Sequence, residues 1–399
     1  MKMETWALAL LSAFGLAAHA DSSTTAASQP ASFTTLITTP LTIEGLTNDD
    51  QGNLYSPGRA LAATDGCPIY RVNVDNPTLT IVGMIPPQTP TCSPSGLAFG
   101  ADGQLYVTNA DRIWRFTPSA TGTPPTATVF ATDVPGTNGL AFDRRGNLWT
   151  GDGTTGLGRV WRIPSTGGAG IEVFRIQPMA NDVTGVNING VGRDVRSLAP
   201  GTIQFAAAAG AATRTATNIL GSQPLVANGV AFDRSNNLFI ADTARGAIWA
   251  VHIHDDGTPQ ASMGCDTTFP ANTLCLSHIY VAHPYLEGVD GIVLDAAGNI
   301  WADANERNAV AFVFRNRQVI DVFRNPVDPA TSLRNLGPLE TPTSPVLVGH
   351  KFCTANSDGN RRDNFPNTAG EIKPAGPARG KISCLDQRVT IPAGDLPVR

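Results

Sequence analysis

The chain repeats one hydrophobic pattern five times. In each copy a glycine opens a short apolar run, a polar turn of Asp, Gly and Asn follows, and a second apolar run carries an aromatic residue. The copies begin at Glu44-Gly-Leu-Thr, Ser95-Gly-Leu-Ala-Phe, Asn138-Gly-Leu-Ala-Phe-Asp, Asn228-Gly-Val-Ala-Phe-Asp and Asp290-Gly-Ile-Val-Leu-Asp. Short runs rich in β-branched and aromatic residues, bounded by turn formers, read as strands. The third copy predicts four of them, over 139–142, 147–150, 159–163 and 171–176. Four strands recurring at roughly 40–50 residues predict the blades of an all-β propeller.

A sixth, less regular blade is predicted from Ser344-Pro-Val-Leu-Val, residues 350–354 and residues 381–386, with 33–39 as its outer strand. Pairing the first strand of the chain with the last ones closes the ring and removes exposed edges. The expected fold is therefore a six-bladed β-propeller of four-stranded blades occupying 33–399. The wide gap between Asn138 and Asn228 holds one blade plus extra chain at 177–225. That stretch is either a long insertion on one face or a degenerate seventh blade, and the insertion is favoured. A second insertion on the same face is expected between Asp358 and Gly380.

Composition agrees with many short strands: 40 glycines and 30 prolines accompany only 15% charged residues. The net charge of -5 argues against a nucleic-acid partner. Residues 1–20 read as a signal peptide, with Lys2 before an apolar run from Trp6 to Ala18 and a small-residue site at Ala18-His19-Ala20. That run is short for a membrane span, and no other stretch approaches one. Residues 21–32 form a low-complexity linker, and the expected location is secreted or periplasmic. Export would keep the six cysteines oxidised. Placed on the blades they predict the pairs Cys67–Cys92, Cys265–Cys275 and Cys353–Cys384.

Propeller geometry brings the starts of all inner strands to one end of the central channel, here called the top. Glu44, Ser95, Asn138, Asn228 and Asp290 should converge there. Asn109, Asp152, Asp242, Asn305 and Asn356, after the second strands, would form a wider ring on the same face. Taken singly, Asn-Gly and Asp-Gly are also turn dipeptides that tolerate positive φ. Glu44 does not fit turn chemistry, and Asp49, Asp143, Asp233 and Asp295 already supply the turns at the opposite, bottom end. Glu44, Asn138, Asn228 and Asp290 present hard oxygen ligands suited to Ca²⁺, then Mg²⁺ or Mn²⁺. Ser95, Asn109, Asp242 and His283 are weaker candidates for contacting a substrate. His252 and His254 share a face far from the axis, and His350 reads as structural. No Gly-x-Ser-x-Gly elbow occurs, which argues against a serine hydrolase.

Glu-Gly in the first copy, Asn-Gly-Leu/Val in the third and fourth, and Asp-Gly-Ile followed by Asp-Ala-Ala-Gly-Asn-Ile-Trp in the fifth resemble the senescence-marker-protein/gluconolactonase family. The related paraoxonases and diisopropylfluorophosphatase are similar in design. The resemblance implies a propeller holding a catalytic divalent metal, usually Ca²⁺, and hydrolysing lactones or related esters. It implies Glu44, Asn138, Asn228 and Asp290 as metal ligands, with Asp290 also the general base. No counterpart of the family's sugar-binding arginine is evident. The rival expectations are a non-catalytic propeller used as a binding platform and a strictosidine-synthase-like propeller, the latter disfavoured by the joint presence of Glu44 and Asp290.

Overall fold

The computed structural model describes residues 33–49, 51–177, 226–264, 267, 269–326, 337–349, 351–357 and 379–386. These belong to one compact unit, Ala31–Arg399. Cys265, His350, the proposed signal peptide and linker, 178–225 and nearly all of the 358–380 insertion lie outside the described residues.

Six sheets follow one another along the chain, antiparallel among their four main strands, with a short parallel strand added to the second and the third. The third is typical: inner strand Thr137–Phe142, then Leu148–Asp152, Arg159–Ile163 and Ile171–Ile176. In the sixth, Pro342–Val348, Lys351–Asn356 and Lys381–Asp386 are completed by Phe33–Thr38 from the start of the chain. Phe33 pairs with Leu385 and Thr38 with Lys381, so the ring closes as expected. Cys353 and Cys384 sit opposite each other in that sheet and form a disulfide, and Cys67–Cys92 forms another. Cys67 is the first residue of strand Cys67–Asn73 and not part of the preceding loop.

The repeated aromatic has a packing reason. Each of the six apolar cores lies between two neighbouring blades, and the aromatic of one second strand meets the blade that follows. Tyr55 packs edge-on against Phe99, Tyr106 against Phe142 and Trp149 against Phe232. Such contacts bury large apolar area with preferred edge-to-face geometry.

The bottom turns are built from the expected aspartates. Asp143 Oδ1 accepts from the backbone N–H groups of Arg145 and Asn147, and Oδ2 accepts from Asn147 Nδ2 and from the fully buried Trp149 Nε1. Gly146 closes that turn at φ 79°, a conformation that favours glycine. Asp49, Asp233 and Asp295 bind their turns in the same way. Replacing Asp143 by Ala orphans four donors, one of them in the core. Chemical denaturation is expected to show a loss of about 2 kcal/mol. A variant as stable as wild type would show that the turn contributes nothing.

Candidate functional site

Five inner strands carry an extra residue at their top ends. Thr137 pairs with Asp152 but Leu140 with Thr150, so Asn138-Gly139 bulges out of the ladder. The same slip occurs between Pro94 and Leu97, Ala227 and Val230, and Val289 and Ile292. In the first blade it falls between the Ile43–Gly58 bridge and the Thr47–Tyr55 pair. A bulge leaves one residue unpaired and turns its side chain away from the regular alternation. Glu44, Ser95, Asn138, Asn228 and Asp290 all occupy these bulges and all are buried. The sixth blade carries the same one-residue slip, between Pro342 and Ser344, and places Thr343 there.

The glycine after each of these residues is explained by close approach, which corrects the turn reading. None of Gly45, Gly96, Gly139, Gly229 and Gly291 is among the residues with positive φ. A Cβ on Gly229 would lie 2.6 Å from the Asp290 carbonyl oxygen and 2.7 Å from Gly291 Cα. One on Gly139 would lie 2.8 Å from Gly229 Cα. Gly45 faces Ser95, Gly96 faces Asn138 and Gly291 faces Thr343 in the same manner. Thr343 Oγ1 then donates to the Glu44 carbonyl at 2.7 Å, which joins the sixth bulge to the first. Buried hydroxyls satisfy backbone groups that the bulges release: Ser56 Oγ donates to Gly45 O, and Thr108 Oγ1 to Gly96 O and Asn138 O.

Four of these five bulge residues meet the residue fifteen positions later, just past the second strand of their own blade. Asn228 Nδ2 donates to Thr243 Oγ1 at 3.1 Å, and Thr243 donates to Val289 O. Asn305 Nδ2 donates to Asp290 Oδ2 at 2.9 Å. The Asn138 side chain rests on Gly153, where a Cβ would come within 2.8 Å of its Cβ and Cγ. In the same slot Glu44 meets a cation: Arg59 forms an ion pair with its carboxylate. Nothing in the repeat singles out Arg59, and the pattern places Asn305 only in the wider ring. The constant spacing was present in the sequence, but its meaning depends on the register of the hairpin.

The donor set fits a hard divalent cation. Two carboxylates and two amides occupy the bulges of four inner strands, and Asn228 Oδ1 is buried with no hydrogen-bond partner among the described residues. An amide oxygen in that state favours a cationic or hydrogen-bonding guest. Three or more His, Cys, Asp or Glu side chains do not cluster as a metal site among the described residues. Any cation here would therefore depend on the asparagines as well as on Glu44 and Asp290.

Burial pushes the Asp290 carboxyl up to about 8. The Asn305 hydrogen bond opposes this, the buried Asp303 carboxyl adds to it, and Arg59 and Asn228 also lower it. Asp303 is raised as well, by burial, while accepting from Thr354 Oγ1 at 2.5 Å. A carboxyl raised on folding stabilises the fold while protonated, and that contribution is lost as pH rises toward about 8. With chelator present, the melting temperature should fall between pH 5 and pH 8, and Asp290→Asn should flatten part of that slope. Parallel profiles for the two proteins would contradict this assignment.

The remaining candidates separate clearly. Ser95 holds the ring position between Glu44 and Asn138. Asn109 is buried, and its Oδ1 accepts from Ser93 N. Asp242 is fully buried, with its carboxylate engaged by Arg245 and Trp249 Nε1. Asp152 binds Arg159 and Asn356 binds Glu340 N, so these members of the wider ring fasten loops. His283 is half-buried, accepts from Tyr285 N and is lowered by burial and by Arg307. His252 bonds Asn237 and stacks edge-on with His254.

A family model described as SMP-30/Gluconolactonase/LRE-like region matches residues 196–338. The chain is similar in structure to regucalcin, a calcium-binding protein from Agrobacterium tumefaciens, at 16% identity and a TM-score of 0.51, covering 92% of this chain and 98% of that one. It is similar to a gluconolactonase from Xanthomonas campestris at 14% identity and a TM-score of 0.51, covering 89% of each chain. A luciferin-regenerating enzyme also matches, at 10% identity and a TM-score of 0.51, over 92% of this chain and 100% of that one. Among curated proteins no sequence matches. At these identities the structural likeness is one of fold, and the family resemblance rests on the matched region and the bulge residues.

Proposed function

We propose that this protein is a divalent-cation-dependent hydrolase of lactones or related esters, working at the top of the propeller channel. The observation that carries the reading is that Glu44, Asn138, Asn228 and Asp290 all occupy bulges at the starts of inner strands, with Asn228 Oδ1 buried and without a hydrogen-bond partner among the described residues. The resemblance to gluconolactonase-type propellers supports the substrate class. Those four residues would hold the cation, with Ca²⁺ the first choice and Mg²⁺ or Mn²⁺ the alternatives. The chemistry such an ion supplies is polarisation of the substrate carbonyl and stabilisation of the oxyanion.

The chain's own residues do the rest. Thr243 holds the Asn228 amide by its Nδ2, which leaves Oδ1 without a hydrogen-bond partner among the described residues. Asn305 holds Asp290 through Oδ2 and fixes the carboxylate's orientation. The other Asp290 oxygen would take the proton from an attacking water as general base. Ser95, beside Glu44 on the ring, would contact substrate. Two disulfides, and the lack among the described residues of any helix long and apolar enough to cross a membrane, support the proposed secreted or periplasmic location.

Hydrolysis of a panel of lactones and aryl esters, with Ca²⁺ or with EDTA, tests the reading. Activity should appear with Ca²⁺, vanish with EDTA and return on adding back the ion. Glu44→Gln should lower it by at least about tenfold. An inert wild type, or turnover indifferent to EDTA, would overturn the proposal in favour of a non-catalytic platform.

A further inference from the structure

We propose that Arg59 is a tethered cation that competes with the divalent ion for Glu44 and so sets the ion affinity of the ring. This rests on the reading above, that the ring binds a divalent ion. Arg59 occupies the slot that holds Thr243 beside Asn228 and Asn305 beside Asp290. Those partners are neutral and bind without adding charge. Arg59 instead places a full positive charge on Glu44, and its field also acts on Asp290 across the channel. Its Nε is buried with no hydrogen-bond partner among the described residues, so the guanidinium is held by Glu44 and charge more than by a cage of acceptors.

Two consequences follow from elementary electrostatics. Without a divalent ion, Arg59 offsets the negative charge of Glu44 in a buried ring. When an ion approaches, Glu44 must exchange the guanidinium for it, and the displaced charge repels the newcomer unless it moves away. Arg59 has room to do so: its side chain is 32% exposed, against 11% for Glu44. Its backbone stays fixed, with Arg59 N bonded to Thr42 O. Movement would therefore be a side-chain swing with the loop held in place.

The experiment is calcium titration calorimetry on wild type, Arg59→Gln and Arg59→Lys, with thermal melts of each protein in EDTA. Arg59→Gln should bind Ca²⁺ about tenfold more tightly or better, because a like charge has left the site. Arg59→Lys keeps the charge and should stay close to wild type. In EDTA, Arg59→Gln should melt below wild type, and saturating Ca²⁺ should close that gap. A gain of affinity is not something a merely structural arginine would produce on removal. Equal or weaker Ca²⁺ binding by a folded Arg59→Gln protein overturns the role of Arg59 alone. Binding by Arg59→Gln but not by wild type supports it in its strongest form. Failure of all three proteins to bind Ca²⁺ overturns the ion-binding reading, and this proposal with it.

Discussion

Asp290→Asn is expected to lower lactone turnover by about 10²- to 10⁴-fold while leaving the melting temperature in EDTA at or above that of wild type. The two halves of that expectation have different origins. Activity falls because the amide cannot accept a proton from water and is a poorer ligand for a hard cation. Stability is kept because the site already disfavours a charged carboxylate: burial pushes Asp290 up to about 8, so a neutral side chain of the same shape is accommodated. The hydrogen bond from Asn305 Nδ2 can still be accepted by the amide oxygen. Steady-state kinetics with Ca²⁺ and a melt of the same preparation in EDTA check both. Retained turnover would remove Asp290 from the chemistry, and collapse of the fold would show that its role is structural.

The second large effect concerns the ring that carries the site. Gly229→Ala places a methyl group 2.6 Å from the Asp290 carbonyl oxygen and 2.7 Å from Gly291 Cα. Both obstacles are backbone, so no side chain can swing aside. The fourth and fifth inner strands must separate, which is expected to cost about 3 kcal/mol or more. The same separation moves Asn228 relative to Asp290, so Ca²⁺ affinity should fall along with stability. Denaturant melts and calcium titration measure the two losses. A variant indistinguishable from wild type would mean that the inner strands do not touch at these glycines.

The fold was legible because its construction is repetitive. An aromatic in every second strand and an aspartate in most bottom turns serve the same physical needs in blade after blade, as Trp149 and Asp143 show together. The closing blade was readable for a different reason: Phe33–Thr38 needed a partner sheet, and the sixth blade needed an outer strand. Of the site, the position before each glycine stood out because it varies while its neighbours repeat. The reason for the glycine itself was not legible, since a dipeptide carries no information about how near the next strand lies.

Asn109 and Asp242 face the expected end of the channel, yet loop N–H groups, Arg245 and Trp249 occupy their oxygens. Pattern alone places a residue on a face without showing which atoms remain available. Arg59 illustrates the opposite limit. It lies outside the repeated motif, in a loop peculiar to the first blade, and only the pairing of Ile43 with Gly58 brings it beside Glu44. The sixth blade lacks the motif altogether, so Thr343, which joins the last bulge to the first, left no trace in the repeat.

The most direct measurement of the central claim is an anomalous difference map from crystals soaked in MnCl₂. A single strong peak is expected at the channel top, shared by oxygens of Glu44, Asn138, Asn228 and Asp290, with the Arg59 guanidinium displaced from Glu44. A ring without a peak, with Arg59 still paired to Glu44, would contradict it.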